Sequence, residues 1–353
     1  MALAFINRIA TAAPPHDVHD TFLAFGRLML QHDRRRLALF DRMAERSGIE
    51  HRYSFLAPGA QGAAVDRDGF YRLGAFPDTA ARMKKFERFA PDLAVEAVEK
   101  LLADEDRSAI THVIVTSCTG FSAPGIDLAL IERCGLRPSV ERTMIGFMGC
   151  YAAINGLKLA RHIVRSEPKS RVLAVNLELC TLHLHETENL EEILSFLLFA
   201  DGCAAALVTA DPKGVEISSF HAALVPGTRE LIRWHIGDQG FDMVLSGAVP
   251  GAIRQALTNS RDEILGSAND IELWAVHPGG RTVLDSVEQA FALEPTALAA
   301  SRSVLADYGN MSSGTVMFVL DRIMRGAQKG QRGCAMSFGP GLVAETMMFR
   351  MAA

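Results

Sequence analysis

The chain has 353 residues, of which 49% are hydrophobic and 22% charged, and its formal net charge at pH 7 is -5. This length predicts either two domains or one large layered unit, and the composition is typical of a globular protein. The acidic balance argues against sequence-independent binding to nucleic acid, which needs a basic surface. We therefore expect no nucleic-acid partner.

The N-terminal residues and the cysteines indicate in which cellular compartment the protein is found. Residues 1–10 lack a basic start, and Asn7 and Arg8 interrupt their apolar stretch, so a first strand is expected and not a signal peptide. No stretch approaches the roughly 18 apolar residues of a membrane span. Six cysteines without a C-x-x-C pair indicate neither a zinc site nor a disulfide framework. These features predict a cytoplasmic protein with reduced thiols, no metal and no membrane insertion.

The elements expected in the first part of the chain are several helices followed by alternating strands and helices. Hydrophobic periodicity predicts helices over 19–31, 35–47, 78–89, 92–104 and 126–133, and strands over 111–116, 171–178 and 201–208. A boundary is expected at 211–214. The remainder predicts a polar meander over 215–241, a helix over 250–265 and a strand over 271–276.

One cysteine stands at a predicted strand-to-helix junction. Cys150 follows Gly149 and precedes an amphipathic helix expected over 151–166, which Pro168 closes. Unpaired amide groups and the helix dipole at such a position lower a thiol pKa and favour the nucleophilic thiolate. The alternative is that Cys150 is simply a small buried apolar residue.

An internal repeat supplies partners for this cysteine. Cys150 and Asn310 each follow a glycine and open an apolar helix, and they lie 310 − 150 = 160 positions apart. The same shift places 117–120 over 277–280, and a shift of 161 places 171–178 over 332–339. The two halves therefore resemble duplicates of one βα unit. His277, which ends a matching strand, is expected close to Cys150 and Asn310.

A cysteine, a histidine and an asparagine at matched positions indicate acyl-transfer chemistry. Cys150 can transfer its proton to His277, or exist with it as an ion pair, and attack a thioester carbonyl. The Asn310 amide and the His277 imidazole can donate hydrogen bonds to a developing negative oxygen. Alternatively, His277 is satisfied by backbone groups and Asn310 caps a helix beginning at Met311.

Five motifs extend this pattern over the whole chain: GFMGCYAAINGLKLA around Cys150, FADGCAAALV from Phe199, AVHPGG with His277, YGNMSSGT with Asn310 and SFGPGL from Ser337. In order and spacing they resemble the motifs of the type III polyketide synthases, the chalcone-synthase-like branch of the thiolase superfamily. The chain resembles a bacterial-type member of this family. The resemblance implies a five-layered αβαβα fold of two duplicated halves, 1–213 and 214–353. It also implies a homodimer that uses acyl-CoA and malonyl-CoA and no cofactor or metal.

The resemblance assigns roles to individual residues. Cys150 is the nucleophile, His277 and Asn310 decarboxylate the extender and stabilise its enolate, and Phe199 is a gatekeeping aromatic. Arg42 and Arg46 match positions that bind coenzyme A phosphates. A further lysine of the family is Leu39 here, which leaves open whether Arg35 or Arg36 replaces it. The implied positions of the pocket and its wall are Cys118, Thr119, Cys180, Leu182, His183, Met243, Ser312, Phe338, Gly339 and Pro340.

The pocket departs from the plant pattern. Cys118 and Cys180 replace threonines, and Met243 replaces a second gatekeeping aromatic, which predicts a more apolar site that accepts a fatty acyl starter and yields alkylpyrones or alkylresorcinols. Two alternatives remain open: a ketosynthase III-like enzyme that performs one condensation, and a non-catalytic thiolase-fold protein that binds acyl-CoA. A papain-like hydrolase also uses Cys, His and Asn, but it would lack the duplicated halves. The sequence does not select the starter, the number of extensions or the ring closure.

Overall fold

The computed structural model describes residues 2–59, 64–265 and 270–352. Its strands, numbered along the chain, are β1 (Phe5–Ala12), β2 (His16–Asp17), β3 (Tyr53–Ser54), β4 (His112–Ser117), β5 (Glu141–Gly146), β6 (Val172–Leu179), β7 (Asp201–Thr209), β8 (Val215–Leu224), β9 (Ile232–Gly237), β10 (Gly240–Leu245), β11 (Leu273–Val276), β12 (Arg332–Gly339) and β13 (Val343–Met351). Its helices are α1 (His19–Met29), α2 (Arg34–Arg46), α3 (Thr79–Leu101), α4 (Ile126–Arg133), α5 (Ala152–Ser166), α6 (Leu190–Leu198), α7 (Val249–Asn259), α8 (Arg261–Leu265), α9 (Arg281–Phe291), α10 (Ala299–Tyr308) and α11 (Thr315–Gly326).

In the described part of the chain, nine strands form one mixed sheet in the order β11-β12-β13-β8-β1-β7-β6-β4-β5. The two halves of this sheet repeat one pairing scheme. In the first half β4 is parallel to β6, which is antiparallel to β7, which is antiparallel to β1. In the second half β11, β12, β13 and β8 follow the same sequence of pairings. The antiparallel pair β1 and β8 joins the two halves of the sheet.

Hydrophobic clusters divide the molecule into five layers. One cluster joins α5 and α11 with side chains from both half-sheets, such as Ile114 and Ala335. Because successive strand side chains point to opposite faces, Val113 and Val115 instead pack with α3 and α4. In the other half, Trp274 packs with α7 and α9. The resulting order of helices, half-sheet, helices, half-sheet and helices confirms the predicted αβαβα architecture.

Most predicted elements of the two cores are confirmed. The strands predicted over 111–116, 171–178, 201–208 and 271–276 are β4, β6, β7 and β11, with ends displaced by at most two residues, and the helix predicted over 126–133 is α4. The stretch predicted as a polar meander, 215–241, contains the whole of the sheet strand β8, strand β9 and the start of β10, which pairs with β9 as a hairpin. No helix among the described residues is both long enough and apolar enough to cross a bilayer.

Three local predictions are wrong. The helices expected over 78–89 and 92–104 are one helix, α3, with Pro91 inside it. Its buried stripe continues across the proline, and this burial offsets the lost hydrogen bond. The helix expected over 250–265 divides at Ser260 into α7 and α8. The expected equivalence of the stretches before Cys150 and Asn310 also fails locally. The stretch before Cys150 contains strand β5, whereas the stretch before Asn310 contains helix α10.

Candidate active site

Backbone turns place Cys150 between β5 and α5. Phe147 and Gly149 adopt positive φ values of 59° and 78°, and they redirect the chain before α5 begins at Ala152. A side chain at position 149 would be excluded, since a Cβ there would lie 2.1 Å from Cδ of Pro340. The turn therefore brings Cys150 against the loop that follows β12. Glycine at position 149 permits this close approach.

The Cys150 thiol is buried, and burial controls its ionisation. Desolvation raises its pKa to about 11, a hydrogen bond with Ser312 opposes this increase, and the charge of Glu178 adds to it. The Cys150 Sγ and Ser312 Oγ atoms lie 3.6 Å apart. Burial thus outweighs the decrease in pKa expected at a helix N-terminus. A reactive thiolate at neutral pH consequently needs a nearby base.

His277 follows β11 and presents an unpaired ring. Its backbone N–H donates to the carbonyl of Met336 at 2.7 Å, whereas its two buried ring nitrogens, Nδ1 and Nε2, have no hydrogen-bond partner among the residues that the structure describes. Burial lowers the pKa of His277 to about 3, so the imidazole is neutral at pH 7. A neutral imidazole can accept a proton at one nitrogen and donate a hydrogen bond from the other. The backbone does not satisfy the ring.

The Asn310 side chain has a defined orientation. Its Oδ1 atom accepts the backbone N–H of Ser312 at 2.8 Å, so the amide nitrogen is the group directed away from that turn. Nδ2 donates to the carbonyl of Gly279 at 3.3 Å, which uses one of its two hydrogens. Asn310 is not the N-cap of a helix that begins at Met311, because Met311 is itself the N-cap of the 3₁₀ turn Ser312–Gly314. The second Nδ2 hydrogen of Asn310 stays available to a ligand.

A cavity of about 520 Å³ brings most predicted residues together. Thirteen of the predicted catalytic and pocket positions line it: Cys118, Thr119, Cys150, Cys180, His183, Phe199, Met243, His277, Asn310, Ser312, Phe338, Gly339 and Pro340. Arg42, Arg46 and Leu39 of α2 also contribute to its lining. Leu182 does not, because its fully buried side chain packs in the outer cluster with α3.

His183 belongs to the wall and is not positioned as a metal ligand. Its Nδ1 accepts the N–H of Phe241 at 3.0 Å, so Nε2 carries the hydrogen donated to the carbonyl of Thr119 at 2.7 Å. Its ring stacks on Phe241 with centroids 4.2 Å apart. The described residues contain no group of three side chains suited to hold a metal ion.

Trp234 is a lining residue that the sequence reasoning missed. Its indole N–H donates to the carbonyl of Cys118 at 2.8 Å, and its ring meets His183 edge-on at 5.4 Å. The residue lies in β9, in a stretch interpreted as a polar meander. A tryptophan within that polar stretch was the available signal, since large aromatic side chains rarely remain in solvent.

A buried carboxyl group lies behind the cavity wall. Glu178 accepts hydrogen bonds from the Cys118 N–H and the Thr119 hydroxyl, each at 2.9 Å, and from the Ser313 hydroxyl at 2.5 Å. Burial raises the pKa of Glu178 to about 7, although these hydrogen bonds favour the charged form. Between pH 4.5 and 7 the folded protein therefore holds a proton that the unfolded chain has released.

This shift predicts a pH-dependent effect of Glu178→Gln. Because the folded pKa exceeds the unfolded one, wild-type stability falls as pH rises through this window, whereas glutamine does not titrate. Urea unfolding from about pH 5 to about pH 8 should show the variant gaining stability relative to wild type. The exposed Glu132→Gln is the matched control. A constant difference between Glu178→Gln and wild type would contradict the assignment.

Comparison with known proteins identifies the class that this fold and site define. The sequence profile of the chalcone and stilbene synthases matches residues 3–212 with its N-terminal domain and 216–353 with its C-terminal domain. The chain belongs to this family. It is a type III polyketide synthase, an acyltransferase that performs decarboxylative condensation, and the family uses acyl-CoA and malonyl-CoA.

Individual relatives share the full length or most of it. Bisdemethoxycurcumin synthase from Oryza sativa subsp. japonica is 34% identical over 98% of this chain and 92% of its own. The alpha-pyrone synthesis polyketide synthase-like Pks18 of Mycobacterium tuberculosis is 33% identical over 76% and 72%. Among solved structures, PKS-I from Ectocarpus siliculosus has a TM-score of 0.90 at 30% identity, covering 99% of both chains. The bacterial 1,3,6,8-tetrahydroxynaphthalene synthase from Streptomyces coelicolor A3(2) has a TM-score of 0.88 at 27% identity, covering 100% of both.

Proposed function

We propose that the protein loads an acyl-CoA starter on Cys150 and extends it repeatedly with malonyl-CoA before cyclisation. The observation that carries this proposal is the composition of the cavity. A buried thiol, an imidazole whose ring nitrogens lack other partners and an oriented amide donor line the same cavity. These are the groups that nucleophilic acyl transfer and enolate stabilisation require.

Loading begins with proton transfer from Cys150 to His277. Sγ forms a bond to the starter's carbonyl carbon, and the tetrahedral intermediate then breaks its bond to the coenzyme A sulfur. The leaving thiolate takes the proton that His277 accepted, so free coenzyme A departs and the acyl group remains on Cys150. The imidazole is neutral at pH 7 and therefore has a lone pair that can receive this proton. Because burial lowers the pKa of His277, it holds the proton only transiently before the leaving thiolate takes it.

Extension requires a stabilised enolate. When malonyl-CoA loses carbon dioxide, the electrons of the broken carbon–carbon bond move to the thioester oxygen. An N–H of His277 and the second Nδ2 hydrogen of Asn310 donate to that oxygen. The enolate carbon then attacks the Cys150 thioester, displaces the thiolate and yields a β-ketoacyl-CoA. Transfer of this product back to Cys150 permits another cycle.

These roles predict different defects for three variants. Cys150→Ala should abolish covalent loading, and His277→Ala should lose both loading and decarboxylation. Asn310→Ala should still load but condense about 10²–10³-fold more slowly, because it lacks one oxyanion donor. Intact-protein mass spectrometry after incubation with acyl-CoA measures loading, and carbon dioxide release from malonyl-CoA measures decarboxylation.

Cys334→Ala is the matched control, since Cys334 is fully buried in the outer cluster of the second half. Full product formation by any of the three variants would refute the assigned roles. A folded wild-type protein that gained no acyl adduct would instead support the non-catalytic alternative. A product limited to one extension would support the ketosynthase III-like alternative.

We also propose that α2 binds the coenzyme A phosphates and that Arg35 replaces the missing lysine. Arg42 and Arg46 are exposed residues of the cavity lining. Positions 35, 39, 42 and 46 follow helical spacing, so Arg35 lies on the same face as these arginines. Arg36 lies off that face and pairs with Glu188 at 3.3 Å.

The choice between the two arginines predicts a selective change in KM. Arg35→Ala should raise the KM for malonyl-CoA several-fold with little change in kcat, because an exposed phosphate contact contributes binding energy and does not act on the reacting atoms. Arg36→Ala is the matched control on the same helix and should leave KM close to wild type. Equal effects of both variants on steady-state kinetics would contradict the assignment of Arg35.

The starter we propose is a fatty acyl group, and the product an alkylpyrone or alkylresorcinol. Apolar side chains stand where the plant pattern has polar or aromatic ones: Cys118, Cys180 and Met243 all line the cavity. Ile232 and Leu245 add further apolar surface. The alpha-pyrone synthesis stated for Pks18 is consistent with this product class.

Acyl-length preference should respond to the volume at position 118. Cys118→Phe adds bulk to the cavity and should lower kcat/KM for long starters relative to short ones by about tenfold or more, because each methylene in an apolar pocket is worth about 1–3 kcal/mol. Cys118→Ala is the control, since it equally loses the contact of Sγ with the Gly149 N–H but adds no bulk. An unchanged length preference in Cys118→Phe would exclude this pocket assignment.

We further propose that the protein is a cytoplasmic homodimer. We also propose that it needs no cofactor or metal, because the reaction steps given above balance without one. Strand β5 lies at the edge of the sheet. Met144, Met148 and the nearby Phe121 expose 39%, 37% and 39% of their surface. An edge strand flanked by exposed apolar side chains favours pairing with a second copy. Sedimentation equilibrium tests this, and a monomer at micromolar concentration would contradict it.

A further inference from the structure

Arg52 is a fully buried cation that contacts neutral groups. Its Nε atom donates to Nδ1 of His19 at 3.1 Å, and its terminal nitrogens donate to the carbonyls of His19 and Phe199, each at 3.4 Å. The guanidinium lies 5.3 Å from the centre of the Phe22 ring. Among the described residues it forms no ion pair with a carboxylate. Burial of a cation without a direct carboxylate partner is unfavourable and lowers its pKa to about 9, an effect that the charge of Asp17 opposes. The Asp17 carboxylate accepts the backbone N–H of Arg52 at 3.3 Å.

The carbonyl that Arg52 contacts belongs to the peptide that holds the catalytic asparagine. This peptide joins Phe199 to Ala200, and its N–H donates to the carbonyl of Asn310 at 3.0 Å. In return, the Asn310 N–H donates to the carbonyl of Leu198 at 2.8 Å. One peptide group is therefore held by Arg52 at its oxygen and holds Asn310 through its nitrogen.

The residue before Asn310 is adapted to this close approach. Gly309 has a φ of 68°, and a Cβ at this position would lie 2.7 Å from Cγ of Arg52 and 2.9 Å from the Leu198 carbonyl oxygen. Only glycine fits this conformation and this space without displacing either neighbour. The Arg52 side chain therefore packs directly against the segment that carries Asn310.

We propose that Arg52 is a positioning residue, which fixes the Phe199–Ala200 peptide and thereby the catalytic Asn310 and the cavity residue Phe199. It has no contact with the nucleophile Cys150 among its described hydrogen bonds. Loss of the guanidinium fork should therefore impair decarboxylation and condensation, which use Asn310, more than acyl loading, which does not. This inference rests on the roles proposed above for Asn310 and Cys150.

The test compares loading with decarboxylation in Arg52→Met and Arg52→Lys. Arg52→Met should load acyl groups on Cys150 at close to the wild-type rate but decarboxylate malonyl-CoA about 10–100-fold more slowly at saturating substrate, since small displacements of a catalytic group have effects of this size. Arg52→Lys retains the charge and part of the hydrogen bonding, so it should recover part of the rate. Both rates are expressed per folded protein, with thermal unfolding measured in parallel.

Arg82→Met is the matched control. Arg82 is also fully buried, donates to the carbonyls of Leu182 and Leu184 at 2.7 and 2.8 Å, and lies over an aromatic ring. It has no described contact with the Phe199–Ala200 peptide, so its variant should change stability without changing the ratio of decarboxylation to loading.

The outcomes separate this inference from the proposed function. A wild-type protein that neither loads nor decarboxylates would overturn the function itself. An active wild type with an unchanged ratio in Arg52→Met would overturn only the role of Arg52. An equal fall of both rates in Arg52→Met would also overturn it, because that pattern indicates general loss of structure.

Discussion

The close approach of two loops, one from each half of the sheet, is the constraint on which the site depends. Gly149 lies against Pro340, and Gly339 lies against Tyr151. A Cβ at position 339 would lie only 2.7 Å from Cδ1 of the Tyr151 ring. These contacts bring the end of β5 and the end of β12 together. The two halves therefore form one cavity together, to which the first half contributes the Cys150 thiol and the second half contributes the His277 imidazole and the Asn310 amide. Backbone space at these glycines, more than any polar contact, determines where Cys150 lies.

Exclusion of water then determines the chemistry. Burial raises the pKa of the Cys150 thiol and lowers that of His277, so each group tends toward its neutral form when considered alone. The imidazole and the thiol line the same cavity and can exchange a proton once a substrate is present. The same low-dielectric surroundings strengthen hydrogen bonds to a developing oxyanion. The orientation of Asn310, fixed by Ser312 and the Phe199 peptide, means that this donor requires little rearrangement during the reaction.

Repetition and motif spacing made much of this predictable from the sequence. Periodicity predicted the strands of the two cores, and positions matched across the halves predicted that Cys150, His277 and Asn310 lie close together. The five layers and the other residues of the cavity were implied by the resemblance of the motifs to the type III polyketide synthases. Features set by tertiary packing were not predictable in this way. Helix α3 continues through Pro91 because its buried stripe outweighs one lost hydrogen bond, and α10 occupies a place where the other half has a strand. Trp234 lies in the β9–β10 hairpin and lines the cavity, whereas the Leu182 side chain packs in the cluster with α3. No local sequence pattern indicates either position.

The dependence of Cys150 on His277 is the central claim, and the pH dependence of Cys150 alkylation tests it most directly. With a thiol pKa raised to about 11 by burial, reaction at neutral pH requires a proton acceptor, and His277 is the cavity residue with unpaired ring nitrogens. Iodoacetamide modification, followed at Cys150 by peptide mass spectrometry, should be rapid near neutral pH in the wild type. In His277→Ala it should become appreciable only at alkaline pH. Coincident profiles for the two proteins would contradict the account.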